Sequence, residues 1–453
     1  MIPGSKFQFL PTAALVLTLA LSGAFADVAR GDDGKPGFFK RIFGGGGEAP
    51  PPPSTQSTPP PAGKPPRVII TTTGGGKSKK KVEIGKPKTP AKTVSKTTSK
   101  PETKSEPVKD VTTSSRRGEG EFKGDGEEDK PTSTTREVTQ LPADGGWEIY
   151  KLGGRDYVTA ESIRNFYNPV YGFTTFRIQG NHFWLVSSKL ILKATVGSQE
   201  MLINNIKFIL SFPVESYKGK VLFSRLDLCK LIDPVLYPSH IQNAEYFDTV
   251  VVDAGHGGHD AGARGVYGYE KDFALKMSVT LGAALRQRGF KVVYTRPSDH
   301  FITLSGRVAI ANQTPKSIFI SLHFNSAGSS ASGIETWALT PQSAAATIPR
   351  GGGYNIHGVT GNKQDSANIA LATAVHASVI SRFKFVDRGI KRAQWSVLTG
   401  CKRPGILFEG GFVTNGKECL LIASDTYRQQ VSAAIADAVV NYRKALESAM
   451  AKR

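Results

Sequence analysis

The stretch "DAGHGGHDAGARGVYGYEKD", residues 253–272, constrains the fold of this 453-residue chain more than any other segment. It follows the apolar run "TVVV", typical of a buried strand, and leads into "KDFALKMSVTLGAALRQRGF", whose apolar residues recur at helical spacing. The glycines between them suit a backbone that bends sharply or approaches a ligand closely. Because His256 lies in this turn and Glu270 at the start of the helix, and both residue types bind transition metals, the segment predicts a metal site at a strand–turn–helix junction.

Two further residues follow predicted strands and could complete such a site. His323 comes after the apolar run "IFISL", and Glu409 follows "GILF" and precedes two glycines. Two histidines and one carboxylate leave a fourth position open, which is the pattern of a catalytic zinc site. We therefore predict that His256, Glu270 and His323 bind Zn2+ and that Glu409 takes a proton from water. Taken singly, each has a structural alternative, since a glutamate at a helix start also complements the helix dipole.

Strands and helices alternate from about Asp248 to the end of the chain. This alternation predicts an α/β domain over residues 248–447, with a mostly parallel or mixed sheet flanked by helices. Asp425 is placed for the N-terminus of the last helix. The glycine-rich stretch from Pro341 to Asp365 is predicted to form a long loop, and long loops in compact domains are often functional.

The first 144 residues show a different organisation. Residues 1–26 have an apolar core that ends in "AFA", which predicts a cleaved signal peptide and export to the periplasm or cell envelope. No cysteine follows this cleavage site, which argues against a lipoprotein. Residues 27–144, rich first in proline and then in lysine, lack hydrophobic periodicity and are predicted to form a disordered linker.

The net charge of +20 predicts an anionic partner, and export argues against nucleic acid. Residues 64–109 carry thirteen Lys/Arg against three acidic residues. This basic run could bind anionic envelope polymers, or its charge could serve only to keep the linker solvated and extended. The sequence supports both interpretations about equally.

Residues 145–238 contain one motif used twice, "GGRDYVTAESIRNF" and "KGKVLFSRLDLCKL", at a common offset of 65 residues. Each copy predicts a turn, a short strand, a Ser/Thr cap and an amphipathic helix. Together with the alternating strands between them, the copies resemble the copper amine oxidase N-terminal-like domain, a small α+β accessory module of cell-wall proteins. No cluster of side chains in this region would hold copper.

From Thr249 to Leu446 the chain resembles the N-acetylmuramoyl-L-alanine amidase family with the zinc-dependent α/β catalytic domain. The motifs that carry this resemblance are "DAGHGGHDAGARGVYGYEKD", "L..RVAIAN", "ISLHFNSA", "G.ET", "DRGIKRA...VL" and "EGGFVTN". The resemblance implies that His256, Glu270 and His323 are zinc ligands and that Glu409 is the catalytic glutamate. It implies hydrolysis of the amide between N-acetylmuramic acid and L-alanine in peptidoglycan, during cell-wall remodelling or daughter-cell separation.

Two alternatives remain: the first uses the same metal chemistry and is separated from an amidase only by the family resemblance, and the retained ligands and glutamate argue against the second. One is a zinc peptidase that cuts within the stem peptide, and the other is a non-catalytic peptidoglycan-binding protein. Among the neighbouring residues, Asp253 is predicted to accept structural hydrogen bonds behind the metal, and His376 is predicted to face solvent. The three cysteines allow at most one internal disulfide, for which Cys401 and Cys419 are candidates.

Overall fold

The structure, a computed structural model, describes residues 138–143, 146–347 and 357–451, all of which belong to one compact unit. The predicted signal peptide and almost the whole predicted linker, including its basic run, lie outside these residues. Within them, no helix combines the length and hydropathy that crossing a membrane requires.

The described residues form two sheets and six helices of eight or more residues. The strands are β1 (Val138–Gln140), β2 (Ile149–Leu152), β3 (Arg155–Thr159), β4 (Thr175–Gln179), β5 (His182–Val186), β6 (Ile191–Thr195), β7 (Glu200–Ile203), β8 (Ile206–Ile209), β9 (Glu215–Tyr217), β10 (Lys220–Ser224), β11 (Thr249–Ala254), β12 (Lys291–Tyr294), β13 (Ser317–Asn325), β14 (Ile334–Leu339), β15 (Asp387–Ala393) and β16 (Gly405–Phe412). The helices are α1 (Ala160–Tyr171), α2 (Glu270–Gln287), α3 (Leu304–Gln313), α4 (Asp365–Ile380), α5 (Gly416–Ala423) and α6 (Asp425–Met450). Shorter helical segments are Arg225–Asp227, Leu228–Ile232, Asp233–Leu236, Pro238–His240, Thr360–Gln364 and Ser396–Thr399.

One sheet runs through both predicted domains, in the strand order β12-β11-β13-β16-β14-β15-β8-β7-β6-β5-β4. Strands β12, β11, β13 and β16 are parallel, β14 is antiparallel to β16, and β15 is parallel to both β14 and β8. Strands β8 to β4 continue the sheet as an antiparallel meander. The predicted α/β class with a mixed sheet flanked by helices is confirmed, while the division into separate accessory and catalytic domains stays a prediction.

The two faces of this sheet are covered differently. We call β11 to β16 the catalytic strands and β4 to β8 the accessory strands. On the first face, α2 and α4 pack against the catalytic strands, and α6 packs on both of these helices. The same apolar core continues under the accessory strands, where it includes α1 and the second sheet, β1-β2-β3-β10-β9. On the second face, α3 and the short helix Ser396–Thr399 cover only the catalytic strands. Because side chains alternate along a strand, each strand sends every second residue to each face.

The two copies of the predicted repeat form equivalent structures. Thr159 caps α1 by accepting from Ser162 N–H, and Ser224, 65 residues later, caps its helical segment by accepting from Asp227 N–H. Their strands β3 and β10 pair antiparallel, so the copies face each other. The equivalence fails at Phe166, which is 44% exposed where its counterpart Leu231 is buried.

A buried ion pair joins the short helical segment Arg225–Asp227 of the accessory region to strand β15. Arg392 of β15 donates to Asp227, and both side chains are only 1% exposed. Asp227 also accepts from the N–H groups of Ser211 and Phe212, at 2.8 and 3.1 Å. Since Arg392 is held in the interior beside β8, its charge needs compensation, and Asp227 is the carboxylate to which it donates a hydrogen bond.

We predict that Asp227→Ala lowers the free energy of unfolding by about 3–5 kcal/mol, because it leaves a buried guanidinium without its counter-charge. Asp156→Ala, which removes the surface partner of Lys151 at 2.9 Å, should lower it by no more than about 1 kcal/mol. Urea denaturation followed by circular dichroism measures both. Equal losses of unfolding free energy in the two variants would show that the buried pair contributes no more to stability than the surface pair does.

Candidate active site

A buried carboxylate organises the end of β11. Asp253 is fully buried and accepts hydrogen bonds from the Thr295 hydroxyl at 2.5 Å, from Arg307 at 2.7 Å and from the Ser321 hydroxyl at 2.7 Å. The same Arg307 guanidinium donates to the carbonyl oxygens of Ala254 and His256, at 2.5 and 2.6 Å. The prediction that Asp253 is a structural acceptor behind the site is therefore confirmed.

This network fixes the turn that presents His256. The backbone of His256 has φ 58°, in the left-handed region that non-glycine residues rarely adopt. Arg296, fully buried, donates to the carbonyl oxygens of Ala254, Gly255 and Lys271 and so ties the turn to α2. Two buried arginines thus hold a strained turn in place by binding its carbonyl groups.

His256, Glu270 and His323 converge, with one ligand atom from each lying within 4.8 Å of the others. Glu270 Oε1 lies 3.1 Å from His256 Nε2 and 2.9 Å from His323 Nδ1. Asp260 Oδ2 lies 2.9 Å from His256 Nδ1, which turns the other ring nitrogen towards Glu270. Burial alone would raise the pKa of Glu270, but hydrogen bonds from the two histidines hold that pKa well below its usual value.

Two glycines make room for this cluster. A Cβ at Gly255 would lie 2.3 Å from the His323 ring. A Cβ at Gly262, where φ is +63°, would lie 2.6 Å from His256 Cδ2 and 2.7 Å from Glu270 Oε2. The glycines in the motif are therefore required partly by the close approach of the three side chains.

Glu409 lies beside the cluster because β16 pairs in parallel with β13, which places it opposite His323. Its Oε2 atom is fully buried and has no hydrogen-bond partner among the described residues, although the residue as a whole is part-exposed. Burial, followed by the nearby carboxylates of Glu270 and Glu335, raises the pKa of Glu409 well above its usual value. A carboxyl group whose pKa is raised in this way holds a proton more readily than an exposed glutamate does.

Glu335, from the "ET" motif, is a neighbour to which the sequence assigned no role. It lies opposite Glu409 in the β14–β16 pair and accepts from Lys391 at 2.5 Å, Asn325 at 2.8 Å and Arg388 at 3.2 Å. Burial alone would raise its pKa, but Lys391, helped by Asn325 and Arg388, holds the pKa of Glu335 below its usual value. Two adjacent glutamates are therefore in opposite electrostatic environments.

The structure corrects the prediction for His376, which is fully buried rather than solvent-facing. Its ring nitrogens lie 3.0 Å from the Thr336 hydroxyl and 2.9 Å from Asp387. Helical periodicity could not predict this burial, because α4 is buried on nearly all sides and not only along one apolar stripe. Cys401 and Cys419 are both buried free thiols, so they form no disulfide.

Asp260 was also missed, although it follows His256 by four residues in the same turn. A carboxylate that close to a metal-binding histidine is a recurrent orienting group.

Three convergent side chains that could hold a metal ion, next to a glutamate at the end of a parallel strand, are typical of a hydrolase. Residues 250–441 match the sequence family described as N-acetylmuramoyl-L-alanine amidase. The uncharacterized protein YqiI of Bacillus subtilis is 32% identical over 194 residues, which are 43% of this chain and 84% of YqiI. The amidase LytC of the same organism is 28% identical over 205 residues, which are 45% of this chain and 37% of LytC.

Among solved structures, the catalytic domain of CwlV, an N-acetylmuramoyl-L-alanine amidase from Bacillus (Paenibacillus) polymyxa var. colistinus, is 30% identical, with a TM-score of 0.37. The match covers 43% of this chain and 98% of the CwlV chain. The family match and the extent of the similarity to YqiI show that the chain belongs to the N-acetylmuramoyl-L-alanine amidase family, and it is an amidase.

We predict that Gly262→Ala lowers amidase activity roughly 100-fold, because a displacement of about 1 Å in a catalytic group can cost that much. Gly289→Ala is the matched control, since Gly289 also has a positive φ (+81°) but would place its Cβ in open space. Both variants should lose about 1–2 kcal/mol of stability to backbone strain. Turnover measured on folded protein separates the two effects, and equal activity in both variants would contradict the steric role of Gly262.

Proposed function

We propose that this protein is a zinc-dependent amidase that, after export to the cell envelope, cleaves the bond between the lactyl group of N-acetylmuramic acid and L-alanine in peptidoglycan during cell-wall remodelling. Family membership supports amide hydrolysis of peptidoglycan. The observation that carries the proposal for zinc is the convergence of His256, Glu270 and His323 on one point.

The chemistry of these side chains fits a divalent zinc ion. Two imidazoles and one carboxylate, with no fourth protein ligand among the residues that the structure describes, match a catalytic rather than a structural zinc site. Asp260 supports His256 in the way that outer carboxylates support zinc-binding histidines. When bound, Zn2+ would polarise the amide carbonyl and lower the pKa of a water molecule in the site.

Glu409 supplies the proton transfers of the reaction. Its carboxylate takes a proton from the water that attacks the lactyl carbonyl carbon, and a new carbon–oxygen bond forms. It then gives that proton to the L-alanine nitrogen as the carbon–nitrogen bond breaks, which leaves a free lactyl carboxylic acid and a free amino terminus. The position of Glu409 suits both steps, because it lies opposite His323 and its buried Oε2 has no hydrogen-bond partner among the described residues.

We predict that His256→Ala and His323→Ala each lose bound zinc and amidase activity together, because two remaining ligands hold a catalytic ion weakly. His300→Ala, which changes an exposed histidine outside the cluster, should keep both. Elemental analysis gives the zinc content, and mass spectrometry of digested peptidoglycan identifies the bond cut. Stoichiometric zinc in either ligand variant would refute the assignment, and shortened stem peptides from the wild type would indicate a peptidase instead.

We predict that Glu409→Gln folds and binds zinc but loses at least about 100-fold in turnover, because it keeps the shape of the side chain and removes its basicity. The acidic limb of the pH–activity profile, which reports deprotonation of this group as pH rises, should disappear with it. Glu270→Gln should instead weaken zinc binding. Near-normal turnover in Glu409→Gln would mean that another group acts as the base.

A further inference from the structure

The active site and the accessory strands lie in one cross-strand row on the second face of the long sheet. On the catalytic side the row consists of His323, Glu409 and Glu335, which are neighbours on β13, β16 and β14. On the accessory side, paired residues continue it from β8 to the edge strand β4: Lys207, Leu202, Lys193, Trp184 and Arg177. At about 4.8 Å per strand, the seven strand spacings from β16 to β4 extend the row roughly 34 Å beyond Glu409.

The two halves of the row meet at β15. Gly389 is the β15 residue that lies against Lys207 of β8. A Cβ at Gly389 would lie 3.1 Å from Lys207 Cγ, so the lysine side chain passes directly over β15. Asp387 accepts from Lys207 N–H at 2.9 Å, and the Arg392–Asp227 pair locks the same junction from the interior. These contacts hold the accessory strands in a fixed position relative to the catalytic centre.

The accessory part of this face is part-exposed, in contrast to the opposite face, where the alternate residues of β5 to β8 are buried. Its row presents three cations, Arg177, Lys193 and Lys207, and one indole, with Arg177 5.5 Å above the Trp184 ring. Glu200 is the acidic residue on the same face, and it already pairs with Lys207 at 3.2 Å. The face therefore offers positive charge and an aromatic surface.

We propose that this face, defined by Arg177, Trp184, Lys193 and Lys207, binds polymeric peptidoglycan that extends from the active site. The proposal rests on the proposed function, since it assigns a substrate form to that same site. Stem peptides carry carboxylates that pair with the cations, and sugar rings carry apolar C–H faces that pack on an indole. The accessory strands then act as a substrate platform and not as a flexible tether.

The test is the full-length variant Arg177→Gln/Trp184→Ala/Lys193→Gln, compared with Arg155→Gln. Arg155 is a matched control because it also stacks on an aromatic ring, 4.3 Å from Phe212, but on β3 of the other sheet. We expect the triple variant to raise KM for intact sacculi about 10-fold or more, since each lost cation or aromatic contact weakens binding several-fold. Its kcat on sacculi should stay within about twofold of wild type. The same should hold for its kcat/KM on a soluble disaccharide–peptide that is too short to reach β5.

Each outcome has a distinct meaning. An unchanged KM for sacculi would overturn the platform, and so would an equal loss on sacculi and on the soluble fragment, because that pattern indicates damage to the catalytic site or the fold. The triple variant could also lose binding to anionic lipid vesicles while it binds sacculi as the wild type does. That result would indicate that the face binds a membrane, and it would also overturn the proposal. Failure of the wild type to cut the lactyl amide in either substrate would instead refute the proposed function.

Discussion

The geometry of the active site depends on the buried ion pair between Asp253 and Arg307. Its side chains are 0% and 3% exposed, and a pair so placed is stabilising only if its remaining polar atoms are also satisfied. Here the guanidinium also binds the carbonyls of Ala254 and His256, and the carboxylate also binds two hydroxyls. The pair therefore converts the end of a strand into a rigid turn, and that turn is what allows His256 to adopt a left-handed backbone next to His323.

The three glutamates of the site have different electrostatic surroundings. Glu270 is stabilised by two histidines, and Glu335 by two cations and an amide, so both are held as carboxylates. Glu409 lies close to these two negative charges and has one buried oxygen without a partner among the described residues. A divalent cation beside Glu270 would reduce this crowding of negative charge, which is a physical argument for metal binding that is independent of the residue pattern.

The continuous sheet changes how the accessory region is understood. A wall-binding module on a flexible linker would add affinity by raising local concentration and would leave the orientation of the substrate open. Strands β4 to β8 instead extend the catalytic sheet through β15, and a shared apolar core lies beneath both parts. If these strands bind substrate as proposed, binding and catalysis take place on one continuous sheet.

The sequence by itself determined the local chemistry of this protein. Strand–glycine–helix patterning placed His256 and Glu270, the ends of apolar strands indicated His323 and Glu409, and the 65-residue offset revealed the paired caps Thr159 and Ser224. These features were readable because they depend on periodicity and on the turn chemistry of neighbouring residues. Tertiary structure alone decided which strands are adjacent. Sheet order joins residues far apart in the chain, so the pairing of Glu335 with Glu409, the burial of His376 and the junction of β8 with β15 leave no local signal.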